Sequence, residues 1–273
     1  MTLHDAPLGE KSTYPERYDP TLLFPVSRRD NRRKLGLGDG RWPWYGEDRW
    51  QAFELSWLAP GGLPQVAIAE FRVPADSPHL VESKSLKLYC NSLNQTVFEH
   101  RQAVLDTLIR DLSQAAGAEV EVLFHSVDEP VTLLARPAGY QLLEAEPITI
   151  DDYRLDSNHL NVDAGRQVTE GLCTHLLKSN CPVTGQPDWG TLLIDYSGPA
   201  IDRAGLLRYV VGFRQEQDFH EHCVERIFMD LMDRCGPSQL SVSAHYTRRG
   251  GLDINPWRST ELGRAPAFRL SRQ

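Results

Sequence analysis

The residues best suited to chemistry form a cysteine-headed turn, Asn180-Cys181-Pro182-Val183-Thr184-Gly185-Gln186-Pro187-Asp188. Pro182 and Pro187 fix backbone angles, and Gly185 permits a sharp bend. Such a segment is a poor helix and a poor strand interior. It is suited to holding one thiol near the carboxylate of Asp188. Thiolate is the reactive form of cysteine, so the pattern predicts a covalent nucleophile with a proton acceptor beside it. A buried cysteine in a proline-rich loop would look the same, so the other polar segments must decide.

The first of these is Val81-Glu82-Ser83-Lys84-Ser85-Leu86-Lys87. Ammonium groups and hydroxyls packed this densely fit a phosphate, although a solvated face fits as well. The second is Asp218-Phe219-His220-Glu221-His222. Here Asp218 is expected to cap a helix. Phe219 can stack on a purine-like ring, and Glu221 can accept hydrogen bonds from ring N–H groups. His220 and His222 stand two apart on that helix and face different ways, which makes a poor metal chelate. The third is Arg248-Arg249-Gly250-Gly251, where arginines run into a turn whose backbone N–H groups can approach a phosphate.

Composition narrows the field. The formal net charge of −8 over 273 residues disfavours a large nucleic-acid partner and leaves room for a small anion. Five cysteines without a CxxC pair argue against a disulfide framework and against a cysteine-rich zinc site. The polar, proline-containing start is not a signal peptide, and no apolar run is long enough to span a bilayer. The expectation is a protein of the reducing cytoplasm.

A frame must hold these segments. Alternation predicts strands over 50–57 and 65–73, joined at Pro60-Gly61-Gly62. A 3.6-residue period predicts a helix over 97–116 that Gly117 ends, followed by a strand over 120–124. In the second half, 190–197 and 206–213 read as strands, with Ser197-Gly198-Pro199 breaking the first. A helix over 219–235 stops at Gly236-Pro237, and a strand follows over 240–246. Strand, strand, helix, strand is thus expected twice. The expected organisation is an extended arm over 1–47 anchored by Trp42, Trp44 and Tyr45, a module over 48–150, and a second over 160–273 carrying Cys181.

Four motifs now stand in order: Glu82-Ser-Lys-Ser-Leu-Lys-Leu-Tyr89, Cys181-Pro-Val-Thr-Gly-Gln-Pro-Asp188, Phe219-His-Glu221 with Cys223, and Arg249-Gly-Gly-Leu-Asp-Ile-Asn-Pro256. From about residue 80 onward, the chain resembles the NADPH-dependent 7-cyano-7-deazaguanine reductases, the nitrile reductases of queuosine biosynthesis, in their long two-module form. The resemblance implies an α+β tunnelling fold: duplicated ββααββ units with antiparallel sheets and helices packed on one side. The missing second helix of the first unit would lie within 83–93.

The resemblance also implies a four-electron reduction of a nitrile to an amine through a covalent thioimide on Cys181. Asp188 would handle the thiol proton, and His220 would assist proton handling and enclosure. Val81, Glu82, Ser83, Phe219, His220 and Glu221 would hold the 7-deazapurine. Ser83, Lys84, Lys87, Arg249 and Gly250 would hold NADPH. No metal, no membrane and no direct nucleic-acid contact is implied, and the assembly would be a homodimer. No GxGxxG follows a strand, so the cofactor site is not of Rossmann type. The residues alone leave open a Cys181–His220–Asp188 hydrolase, a zinc-dependent pterin enzyme of the same fold, and a non-catalytic purine-binding module.

Overall fold

The computed structural model describes residues 15, 17–38, 40 and 42–273; much of the expected arm, including 1–14, lies outside them. In chain order the elements are β1 (Pro25–Ser27), α1 (Arg29–Lys34), β2 (Tyr45–Leu58), β3 (Pro64–Pro74), β4 (His79–Val81), α2 (Ser83–Ser92), α3 (Arg101–Ala116) and β5 (Glu121–His125). They continue with β6 (Leu133–Leu134), β7 (Tyr140–Leu142), β8 (Val162–Asn180), β9 (Pro187–Ile201), α4 (Arg203–Gly212), α5 (His220–Cys235), β10 (Gln239–Tyr246), β11 (Leu252–Ser259) and β12 (Arg269–Leu270).

One eight-stranded sheet, ordered β5-β3-β2-β11-β10-β9-β8-β7, carries both halves of the chain. The halves meet where β2 pairs antiparallel with β11, Trp50 opposite Ile254 and Asp48 opposite Pro256. Directly paired residues point to the same face. Val122, Phe71, Trp50, Ile254, Arg258, Val242 and Ile194 therefore share one face. Helices cover that face in two pairs: α2 and α3 bury one apolar core against β2, β3 and β5, and α4 and α5 bury a second against β8 to β10. The second half is a complete ββααββ unit, the tunnelling-fold repeat; α2 supplies the helix expected within 83–93. Not every pairing is antiparallel. β7 joins β8 in parallel, and β12 joins β6 in parallel.

Several expectations change. Residues 206–213 are not a strand: α4 spans Arg203–Gly212, with Asp202 accepting from the Ala204 N–H at 3.2 Å. Seven of its ten residues are buried, so it shows no polar stripe, and its paired valines resemble a buried strand. The strand that pairs with β9 is instead β8, whose N-terminal half is largely exposed and carries little alternation. Ser197-Gly198-Pro199 does not break β9. Gly198 lets the strand pass Pro237, whose Cα would lie 2.8 Å from an added Cβ, and Pro199 sits beside an irregularity in the β8 register. The first-half helix begins at Arg101, capped by His100, and Val97 is left exposed. Of the three aromatic anchors, Trp44 is buried against Phe228 and Trp42 stacks on it. Tyr45 instead opens β2 in an exposed position.

Candidate active site

Residues 181–186 are the tip of the β8–β9 hairpin. The Cys181 N–H donates to the Gln186 carbonyl at 2.8 Å, and the Gly185 N–H donates to the Cys181 carbonyl at 3.0 Å. The loop closes on itself with the buried Cys181 at its base. Gly185 adopts φ +67°, which any other residue would resist. The hairpin end is stitched to the entry of α5. The Asn180 N–H donates to the Glu216 carbonyl, the Asp218 N–H donates to the Asn180 carbonyl, and the Lys178 ammonium donates to the Arg214 carbonyl. These bonds bring Cys181 beside Phe219, His220 and Glu221.

Asp188 sits on β9 with His220 Nε2 at 3.4 Å on one side and Arg249 Nη1 at 3.3 Å on the other. Arg249 also donates to the Gln186 side chain at 2.8 Å and so ties the β10–β11 turn to the cysteine loop. Burial opposes ionisation of Asp188, but His220, Arg249 and Lys87 together hold its carboxyl below the usual range. The His220 ring lies on Tyr246, centroids 3.8 Å apart.

Two helix-borne carboxylates complete the cleft. Glu82 caps α2, its two oxygens each accepting a backbone N–H, from Lys84 and Ser85, at 2.8 Å. Glu221 lies in the first turn of α5, where Phe219, not Asp218, takes the cap position; Asp218 accepts the Phe219 N–H and faces His222. Burial pushes both glutamates toward the neutral form. Glu221 Oε1 is buried with no hydrogen-bond partner. A buried acceptor left unpaired is costly unless a ligand completes it.

Val81, Glu82 and Ser83 from the first half thus share one cleft with Cys181, Asp188 and Arg249. Phe219, His220 and Glu221 line the same cleft, with Trp50 and Ile254 as apolar walls. Its enclosed space is about 20 Å³, the room of roughly one water.

A neighbouring space of about 80 Å³ is lined by Lys87, Asn91, Asn94, Gly250 and Gly251. Gly250 has φ +57°, and a Cβ there would meet Lys87 Nζ at 2.6 Å. Burial first, then Arg249, lowers the Lys87 ammonium from its ordinary value. Glu54 lines the same space, and Lys87, with Arg249 near enough to lower it, supplies the positive charge a phosphate would meet there. These residues fit a phosphate-bearing cofactor. Lys84 gives its N–H to Glu82 and lines neither space.

A cavity of about 350 Å³ lies on the opposite face of the sheet among Arg49, Gln51, Phe53 and Arg269, away from the thiol. His220 and His222 diverge, the second toward Asp218 and Asn31. Among the described residues no three His, Cys, Asp or Glu side chains gather as a metal site. Sequence reasoning missed Tyr246, Trp50 and Asn31, which donates to Asp218 at 2.9 Å. Trp50 and Tyr246 sit in ordinary alternating strands. Asn31 reaches its partner across 187 positions, so no local pattern marks it.

The architecture is that of the tunnelling-fold class, with the cleft at the junction of the two halves. The nitrile reductase family, described as 7-cyano-7-deazaguanine-reductase N-terminal, matches residues 14–124, and the family described as QueF-like protein matches 187–264. The chain is 55% identical over 274 aligned residues to the NADPH-dependent 7-cyano-7-deazaguanine reductase of Chromohalobacter salexigens, covering 100% of this chain and 98% of that one. It is 52% identical over 267 residues to the reductase of the same name from Bordetella avium, covering 98% and 97%. A solved archaeosine synthase QueF-Like in the apo form aligns at 14% identity and TM-score 0.31, covering 36% of this chain and 96% of that one. The chain belongs to the 7-cyano-7-deazaguanine reductase family.

Proposed function

We propose that the chain reduces the nitrile of 7-cyano-7-deazaguanine to the aminomethyl group in queuosine biosynthesis, with Cys181 as covalent nucleophile. The observation that carries the reading is the convergence of Cys181 and Asp188 with Glu82 and Glu221 in one cleft. A guanine-like edge offers N–H donors, and two buried carboxylates supply acceptors for them. Phe219 and Trp50 provide apolar surface for the ring.

In this reading the Cys181 sulfur bonds to the nitrile carbon, one carbon–nitrogen π bond opens, and the nitrogen gains a proton. Asp188, held ionised at neutral pH, accepts the thiol proton and returns it to that nitrogen. His220, packed on Tyr246, closes the cleft and faces Asp188. Lys87, Arg249, Gly250 and Ser83 would hold NADPH, which when bound supplies hydride, two molecules being used per nitrile. A cytoplasmic homodimer acting on the free base belongs to the same proposal; among the described residues no helix is long and apolar enough to cross a membrane.

The test is turnover of 7-cyano-7-deazaguanine followed at the absorbance of reduced cofactor. Two NADPH oxidised per amine formed, with or without chelator, is expected. A carboxylic acid product without NADPH consumption would replace the reductase reading with a hydrolase, and loss of turnover with chelator would favour the zinc enzyme.

A further inference from the structure

α1 is a short helix held in place by buried charge. Arg32 bonds Glu225 of α5 at 2.7 Å and lies 4.4 Å over the Trp42 ring. Arg28, just ahead of α1, bonds Asp48 at 2.5 Å. These two arginines and their two carboxylates are each at most 1% exposed, so the helix has little room to shift. This fixes where Asn31 stands. Lys34 donates to Asn31 Oδ1 at 3.2 Å, which leaves the amide nitrogen for α5.

That nitrogen meets two groups at the entry of α5. Asn31 Nδ2 donates to Asp218 Oδ1 at 2.9 Å and touches His222 Nδ1, which itself lies 3.0 Å from the same Asp218 oxygen. Both groups act on Phe219. Asp218 Oδ1 accepts the Phe219 N–H at 2.8 Å. The His222 and Phe219 rings meet edge to face, with centroids 5.7 Å apart and planes at 77°. Phe219 is the cap residue of α5 and makes no side-chain cap bond of its own. The contacts of Asp218 and His222 therefore set its backbone and its ring. Asp218 and Phe219 line the cleft, while Asn31 and His222 stand behind them.

We propose that Asn31 is a positioning residue for the 7-deazapurine: through Asp218 and His222 it fixes the Phe219 ring in the orientation that stacks on the base. This rests on the reading of Phe219 as apolar surface for that base. A ring held in place beforehand loses no rotamer freedom when the base arrives, so binding costs less. The inference gives α1, none of whose residues lines the cleft, a part in base affinity.

The experiment is calorimetric binding of 7-cyano-7-deazaguanine to the full chain in a Cys181→Ala background, with melting curves to confirm that each variant is folded. Phe219→Ala is the control and should lose about tenfold in affinity. Parental affinity there would overturn the stacking reading itself. With that control weakened, Asn31→Ala is expected to lose about fivefold in base affinity while NADPH affinity is unchanged. In the Phe219→Ala background the same change should cost less than about twofold, because the ring through which it acts is gone. Asn31→Asp keeps the shape, removes the donor and sets like charge against Asp218, so its loss should be at least as large. Parental base affinity in Asn31→Ala or in Asn31→Asp would overturn the inference, as would an equal loss with and without the Phe219 ring. A matching loss of NADPH affinity would mark a general loosening of the fold and overturn it as well. If Asn31→Ala does not fold, Asn31→Asp decides by the same comparisons.

Discussion

Cys181 is one of five buried thiols, and its surroundings set it apart. Burial pushes the Cys90 and Cys173 thiols up to about 12, and raises Cys223 and Cys235 as well. Cys181 instead heads a closed turn that opens on a cleft with Asp188 and His220. Cys181→Ala is expected to abolish the covalent adduct seen by intact mass while leaving base binding within a few-fold. An adduct in that variant would move the nucleophile elsewhere. Asp188→Asn should lower kcat by about a hundredfold with KM nearly unchanged, as expected for loss of a proton-transfer group. The identity of these two residues was legible because six loop positions hold them in sequence. The partners of Asp188 were not: Arg249 and His220 reach it from other elements.

Helix ends and turns carry much of the remaining site. Glu82 satisfies two of the first N–H groups of α2, a task worth about 1 kcal/mol to a helix. Glu82→Ala should therefore lower both base affinity and thermal stability, whereas Glu221→Gln, whose side chain caps nothing, should lower affinity alone. Paired melting and binding curves separate the two. The β10–β11 turn needs glycine twice. Gly250→Ala meets a positive φ and the Lys87 ammonium together. The expected result is a KM for NADPH raised about tenfold, with nitrile affinity unchanged. Steady-state kinetics with each substrate varied in turn checks this. Elements with clear periodicity, such as β2, β3, α3 and α5, were readable from the sequence. Elements buried nearly all round, such as α4, or largely exposed, such as the start of β8, lack the alternation that reveals them.

Across the whole molecule, one sheet joins the halves, and its two faces differ in chemistry. The helix face is mostly apolar, with buried charge at the Arg28–Asp48–Arg258–Glu225 cluster and at Asp188, Glu82 and Glu221 of the cleft. The opposite face carries a buried polar layer with Arg49, Glu70, Asp253 and His245. His245 stacks on Phe268, and burial lowers its pKa from 6.5 to about 3. Below about pH 6.5 the unfolded chain binds a proton there that the folded chain refuses, so stability falls as pH drops toward 3. That contribution is about 2 kcal/mol between pH 6.5 and pH 5. His245→Phe should flatten this part of the urea-midpoint profile; an unchanged slope would show that the proton goes elsewhere. Asp48, Glu70 and Glu225, held low by arginines against the effect of burial, add stability that is lost at more acid pH. The seam at β2 and β11 also predicts interdependence. Residues 160–273 expressed alone would leave Arg258 without Asp48 and expose β11, so loss of cooperative melting is expected.

The sequence by itself determined the local chemistry: a thiol and a carboxylate in one rigid turn, a glutamate before a lysine-bearing helix, and a glycine pair after arginines. Each is set by neighbours a few bonds away, and their order along the chain was enough to indicate the family. Only the tertiary structure decided which groups face one another. The contact of α5 with the hairpin tip, the entry of Arg28 from the segment ahead of α1, and the meeting of two helix starts across β2 and β11 all depend on close-packed elements far apart in sequence. Fields and hydrogen bonds act over a few ångströms of space, and sequence patterns encode such distances only along a single element.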